Sequence, residues 1–240
     1  MNTVDHVGAF DRPFSPAAGY GRGFALMRDA AGDAWRRYTR HAFVEGLKDG
    51  TLPRETFLHY LRQDYVFLIH FSRAWALAVV KSETHAEMLT AVGTVNALVA
   101  EEMQLHVGIC EAAGISQEDL FATPERAENL AYTRFVLEAG YSGDLLDLLA
   151  ALAPCVLGYG EIGVRLGAES GSDTYRGWIN TYAGEEYQAA CRAVGGLLDS
   201  ALTRRLGADF VASPRWERLC RTFRTATELE VNFWQMGLTP

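Results

Sequence analysis

Residues 54–80 read RETFLHYLRQDYVFLIHFSRAWALAVV, and their apolar side chains recur at helical spacing. Phe57, Leu61, Leu68, Phe71, Trp75 and Ala78 fall at intervals of four and three, with Asp64 in the one remaining slot of the same series. That is the core stripe of a bundle helix, whereas a strand would alternate at every second residue. The same periodicity predicts helices over about 24–47, 83–114, 125–139, 142–168, 172–205 with a break, and 213–237, and no convincing strand alternation occurs anywhere. Gly50 and Pro53 separate the first two segments, Gly114 closes the third, and Pro124 stands where a first helical turn tolerates it. Gly140 and the Ser142-Gly143 pair mark a further break. The expectation is an all-α, single-domain bundle of long, roughly antiparallel helices, the architecture that places ligand sites between facing helices.

Pro13, Pro16, Gly19, Gly21 and Gly23 make residues 1–23 an irregular arm, leaving 24–240 as the helical domain. A chain of 240 residues with 49% hydrophobic and 22% charged side chains is one large domain, able to bury roughly 70 to 75% of its unfolded surface. Twenty-two Lys and Arg against 30 Asp and Glu give a net charge of −8, which excludes the strong positive field that nucleic acid requires. The four cysteines, Cys110, Cys155, Cys191 and Cys220, form no Cys-x-x-Cys pair, so free thiols are expected. No secretion signal opens the chain, and no apolar run approaches the roughly 18 residues that span a bilayer. The expectation is a cytoplasmic protein without a membrane partner. No fixed-period repeat or low-complexity tract is present.

Chemistry is carried by polar residues that fall on apolar seams. Asp64 occupies a core slot of the stripe quoted above, and Glu230 occupies one in Trp216, Cys220, Phe223, Thr227, Glu230, Trp234 and Gly237. A buried carboxylate without a partner costs several kcal/mol, so each needs either a buried Arg or Lys or a ligand. Leu145, Leu148, Leu152, Cys155, Tyr159 and Ile162 place a thiol and a phenol on one inward stripe. Tyr132 lies in line with Phe135, Val136 and Ala139, and Tyr182 follows Trp178 and Ile179. Taken singly, the thiol and each phenol are accounted for by packing; together with two carboxylates they describe a polar pocket. A thiol beside a carboxyl group can add to an electrophilic carbon while the acid moves the proton, which requires no cofactor. Phe67 and Phe71, about one turn from Asp64, offer faces for a small amino-substituted aromatic ring.

Glu101, Glu102 and His106 raise a second possibility, since carboxylate and histidine on one helix face are the raw material of a di-iron bundle. Glu102 and His106 are four apart where Glu-x-x-His requires three, and no second acidic helix carries a matching histidine. No metal site is therefore expected; the alternatives are a metal-dependent oxidase on the same bundle and a non-catalytic pyrimidine-binding or regulatory protein.

At Leu61-Arg62-Gln63-Asp64, at Ala153-Pro154-Cys155 followed by Tyr159 and Glu161, at Trp178-Ile179-Asn180-Thr181-Tyr182 and at Glu230-x-x-Phe233-Trp234, the chain resembles the TenA family. These are the thiaminase II proteins, or aminopyrimidine aminohydrolases, and the likeness runs from about Phe24 to Met236. The resemblance implies a heme-oxygenase-like bundle that binds no heme, assembles as a homotetramer and acts on aminopyrimidine or thiamin in thiamin salvage. It implies Cys155 as nucleophile, Glu230 as acid/base and Asp64 as the group that holds the aminopyrimidine through its ring nitrogen and amino group. Tyr132, Tyr159 and Tyr182 match the family's pocket tyrosines, and Phe233 matches a pocket aromatic. Phe67 departs from the stacking tyrosine of other members, which keeps the stacking surface and loses a hydroxyl contact.

Overall fold

The structure is a computed structural model and describes residues 19–240. Among these residues twelve α-helices occur and no strand. They are α1 (Arg22–Ala31), α2 (Asp33–Thr39), α3 (Ala42–Asp49), α4 (Arg54–Lys81), α5 (His85–Asn96), α6 (Met103–Ala112), α7 (Gln117–Phe121), α8 (Ala127–Ser142), α9 (Leu145–Glu169), α10 (Arg176–Ala183), α11 (Glu185–Leu206) and α12 (Trp216–Gly237). A π-helical segment, Ala97–Glu102, joins α5 to α6, and a short 3-10 turn, Phe210–Ala212, precedes α12. The all-α expectation is met in a single domain.

Three departures from the periodicity have identifiable causes. The segment at 24–47 is three helices rather than one, because Gly32 turns the backbone to φ +58° and His41 then starts α3, its Nδ1 accepting the Phe43 N–H at 3.3 Å. Helix α1 begins at Arg22, inside the stretch expected to be an arm, since the Asp199 carboxylate on α11 accepts the Arg22 and Gly23 N–H groups at 2.8 and 2.6 Å. A tertiary cap of this kind leaves no local sequence signal. Residues 1–18 of that arm lie outside the described residues. Helix α7 is only five residues long, too short for a periodic pattern, and is capped by the Ser116 hydroxyl.

Helix α9 is the centre of the bundle, packed by α12, α10, α11 and α8. It is long and apolar enough to cross a membrane, contrary to the reading of the apolar runs, but 89% of its apolar window is buried inside the bundle. It is a core helix, hydrophobic on all sides because neighbours cover all sides. Its start is fixed by a reciprocal cap in which Asp144 and Asp147 each accept a backbone N–H of the other's turn. Arg215 adds a hydrogen bond to the Asp147 carboxylate at 2.7 Å. Around the C-terminal half of α12, Trp234 stacks on Phe43 with ring centroids 4.9 Å apart and meets Tyr60 and Tyr159 at 5.3 and 5.2 Å. These aromatic contacts clamp α12 against α3, α4 and α9, and with them the helices that carry the seam residues.

Candidate active site

A cavity of about 760 Å³ lies between α4, α5 with its π segment, α9 and the α10–α11 corner. Its size suits a small organic ligand. Asp64 and Phe67 reach it from α4, Cys155 and Tyr159 from α9, Glu102 from the end of the π segment and Tyr187 from α11. No lysine or arginine is among the lining residues, whereas Asp64, Glu101, Glu102, Glu185 and Glu186 all are. The lining is otherwise largely apolar, so the cavity offers a hydrophobic slot with a negative rim.

The buried Asp64 carboxylate answers its burial cost through two neighbours. Its Oδ2 accepts the Tyr60 hydroxyl at 2.9 Å and stands 2.7 Å from His106 Nε2. The other imidazole nitrogen, Nδ1, lies 2.8 Å from the Glu102 carbonyl, which can only accept, so Nδ1 carries a proton. The contact to Asp64 then needs a proton between Nε2 and Oδ2. Burial works against an imidazolium at His106, but the hydrogen bond and charge of Asp64 outweigh it and hold the pKa above the usual histidine value. Oδ1 of Asp64 has no protein partner among the described residues and is left for a ligand in the cavity.

Cys155 follows Pro154, which interrupts the α9 hydrogen-bond ladder because it has no N–H. Of the stripe from Leu145 to Ile162, Cys155 alone escapes full burial, and its thiol side faces the cavity. Burial pushes that thiol well above the ordinary cysteine pKa, and the charges of Glu230, Glu102 and Asp64 push it further. Glu230, 1% exposed, accepts the Tyr132 hydroxyl at 2.8 Å and interacts with the Cys155 thiol. Burial lifts the Glu230 carboxyl to about 8, against the lowering effect of Tyr132. At rest the pair is therefore thiol beside carboxylic acid, and a thiolate forms only when a proton has somewhere to go.

Of the residues singled out in the sequence, Asp64, Phe67, Cys155 and Tyr159 line the cavity. Glu230, Tyr132, Tyr182 and Phe233 are buried one layer behind it. Phe233 and Tyr132 support the Phe67 ring at centroid distances of 5.4 and 5.1 Å, and Phe71 stacks on it at 5.0 Å. Tyr182 donates to Glu102 Oε1 at 2.7 Å, and Tyr159 lies 3.4 Å from the Tyr60 hydroxyl. Tyr60, Tyr187 and the site roles of Glu102 and His106 escaped the sequence reading. The Glu102–His106 face weighed there for metal is instead spent on Tyr182 and Asp64, and among the described residues no three His, Cys, Asp or Glu side chains gather as metal ligands. Tyr60 could have been found from its place one turn before Asp64, where a hydroxyl reaches a carboxylate. Cys110 and Cys191 are buried free thiols, Cys191 donating to the Val156 carbonyl.

The family model described as TENA/THI-4/PQQC matches residues 28–239. A Haemophilus influenzae protein, named only as uncharacterized, is 42% identical over 85% of this chain and 93% of its own length. An aminopyrimidine aminohydrolase of Halalkalibacterium halodurans is 35% identical over 89% of this chain and 94% of its own. Among solved structures, a crystal structure of a TenA family transcription regulator from Silicibacter sp. TM1040 superposes with a TM-score of 0.93 at 80% identity, covering 94% of this chain and all of that one.

Proposed function

This chain belongs to the TENA/THI-4/PQQC family, and from that premise and the cavity geometry we propose that it is an aminopyrimidine aminohydrolase (thiaminase II) of thiamin salvage, with Cys155 as nucleophile. It would hydrolyse aminomethylpyrimidine, or thiamin, to the hydroxymethylpyrimidine. The observation that carries this reading is the Cys155 thiol on the wall of an acidic, arginine-free cavity, with the Glu230 acid at its back. Such a lining favours a cationic or amino-substituted ring and repels phosphorylated forms, since anions meet five carboxyl groups and no basic side chain.

In this reading Asp64 Oδ1 accepts the N–H of the ring amino group, and Phe67 lies against the ring face. The thiol adds to an electron-poor ring carbon: sulfur bonds to carbon as Glu230 delivers its proton to the ring nitrogen not beside the amino group, and the thiol proton passes to the Glu230 carboxylate so formed. The neutral resting pair suits this, because the acid is already protonated when the ring arrives and no free thiolate is exposed. Electrons returned by the adduct expel the substituent on the methylene carbon, water takes its place, and loss of the thiol restores the aromatic ring. Tyr132 steers the Glu230 carboxyl through its 2.8 Å hydrogen bond. Tyr182 and Phe233 act behind the cavity wall, on Glu102 and on Phe67.

The test is release of ammonia and hydroxymethylpyrimidine from aminomethylpyrimidine, and of the pyrimidine from thiamin, by wild type and Cys155→Ala. Turnover by wild type and none by a folded Cys155→Ala supports the reading; an active Cys155→Ala refutes cysteine catalysis. A homotetramer belongs to the same reading, with the exposed Leu89 and Val92 of α5 and Val99 of the π segment as a face for contact between copies, to be measured by light scattering. A cytoplasmic enzyme fits the unpaired cysteines.

A further inference from the structure

Hydrolysis at the methylene carbon needs proton transfer at two places, and Glu230 serves only one of them. Glu230 is buried behind Cys155 with Tyr132 on its Oε1, so in the proposed reaction it serves the sulfur and the ring nitrogen. The departing group and the incoming water must pass through the open side of the cavity, where Glu101, Glu185 and Glu186 are exposed. Glu102 stands between these two regions. It lines the cavity with Cys155 and Asp64, is half-buried, and is anchored by the Tyr182 hydroxyl on Oε1 at 2.7 Å. Its Oε2 has no protein partner among the described residues.

We propose that Glu102 is a second acid–base residue of the reaction, protonating the amine as it departs and then taking a proton from the water that replaces it. The assignment rests on the hydrolase reading above. Glu102 is the last residue of the π segment, and a π turn inserted into an α-helix rotates the residues that follow it relative to those before, a distortion frequent at functional sites. The titratable groups close enough to act on it are His106 four residues on, Asp64 from α4, Cys155 from α9, Tyr182 from α10, and Tyr187 and Cys191 from α11. Burial lifts the Glu102 carboxyl to about 7, with Asp64 pushing the same way and His106 and Tyr182 pulling against them. Both protonation states are then populated at neutral pH, as a group that gives and takes one proton requires.

The proton balance closes. Glu102 and the substrate amine share one proton; as the C–N bond of the Cys155 adduct breaks, that proton leaves with nitrogen as ammonia and Glu102 is left as carboxylate. Water then bonds to the methylene carbon and gives its proton to Glu102, which ends as it began. The net change is amine plus water to alcohol plus ammonia. Thiamin differs at the first step, because its leaving nitrogen is quaternary and the thiazole departs neutral without a proton.

The experiment is Glu102→Gln assayed on both substrates, with Glu102→Ala assayed on the amine with and without formate. The expected result is a kcat on aminomethylpyrimidine reduced on the order of 10²- to 10⁴-fold, a loss on thiamin at least about tenfold smaller, and partial recovery of Glu102→Ala by formate. If wild type accepts the amine alone, recovery by formate decides. Unchanged kcat in Glu102→Gln, or an equal loss on both substrates without recovery by formate, overturns the proposal, the latter pattern being that of a packing role. Failure of the hydrolase reading is separately visible, as wild type inert on both substrates or Cys155→Ala still active.

Discussion

His106 Nε2 lies 2.7 Å from Asp64 Oδ2, and the same imidazole holds the Glu102 carbonyl through Nδ1 at 2.8 Å. One ring thus ties the end of the π segment to the carboxylate on α4 that faces the cavity. Both side chains are almost fully buried, at 1% and 5% exposure. Removing one member of such a pair leaves the other charge uncompensated, at a cost of roughly 3–5 kcal/mol. His106→Leu is therefore expected to lose about that much stability in urea denaturation. His106→Gln, which can still donate to Asp64, should retain most of it while weakening pyrimidine binding. Equal stability of His106→Leu and wild type would show that the pair contributes nothing.

The Glu230 carboxyl, raised from 4.5 to about 8 chiefly by burial, makes stability depend on pH in a direction opposite to that of a salt-bridged acid. A folded-state pKa above the unfolded one means that the native protein holds the proton more tightly. The stabilisation is then fully present below about pH 4.5 and is lost as pH rises through about 8. Glu102, raised to about 7, adds the same sign over a narrower window. Glu230→Gln removes the titration and should be more stable than wild type at pH 9, by at most ~5 kcal/mol, with the difference vanishing toward pH 5. Thermal melts of the two proteins across that range measure it, and parallel profiles would contradict the raised pKa.

Phe67 is packed between Phe71, Tyr132 and Phe233, and this stack forms one wall of the cavity. Phe67→Leu keeps an apolar side chain of moderate size but removes the ring face. Aromatic pairing beyond area burial is worth about 0.5–1.5 kcal/mol, so KM for the pyrimidine should rise roughly two- to tenfold with kcat little changed. Steady-state kinetics separate the two constants; a fall in kcat at constant KM would assign Phe67 a part in the chemistry instead of in binding.

Much of the site was legible because helical phase is local. The four-and-three spacing places Asp64, Cys155, Tyr159 and Glu230 on inward faces, and all four are where that phase puts them. What phase cannot say is which helix an inward face meets. Asp64 and His106 are separated by 42 residues and Tyr182 and Glu102 by 80, so neither bond leaves a mark on local spacing. The π segment compounds this, since the register read through 83–114 as one α-helix shifts at Ala97–Glu102. Glu102 and His106 therefore read as a metal-like pair on one face, when each reaches a different helix. The same limit explains the start of α1, which is set by Asp199 far along the chain.

Cys155 opens onto the cavity yet carries a thiol pKa held well above 9 by burial and by the charges of Glu230, Glu102 and Asp64. Alkylation requires the thiolate, so exposure alone does not make this residue reactive. Near pH 7.5 iodoacetamide should modify Cys155 more slowly than it modifies free cysteine. Cys191 and Cys220, at about 12 and about 11, should be slow as well, so the sites must be resolved by peptide mass spectrometry. At pH 9 Glu230, with its pKa of about 8, is ionised in wild type and repels the thiolate; Glu230→Gln removes that charge and should speed Cys155 modification at this pH. Near pH 6, where Glu230 is protonated in wild type, the two proteins should react alike. Hydroxymethylpyrimidine, bound in the same cavity, should slow the reaction at Cys155 and leave Cys220 on α12 unaffected. Rapid modification of Cys155 at pH 7.5 would mean that its thiolate is already present at rest, and that Glu230 does not have to move the proton for the sulfur to attack.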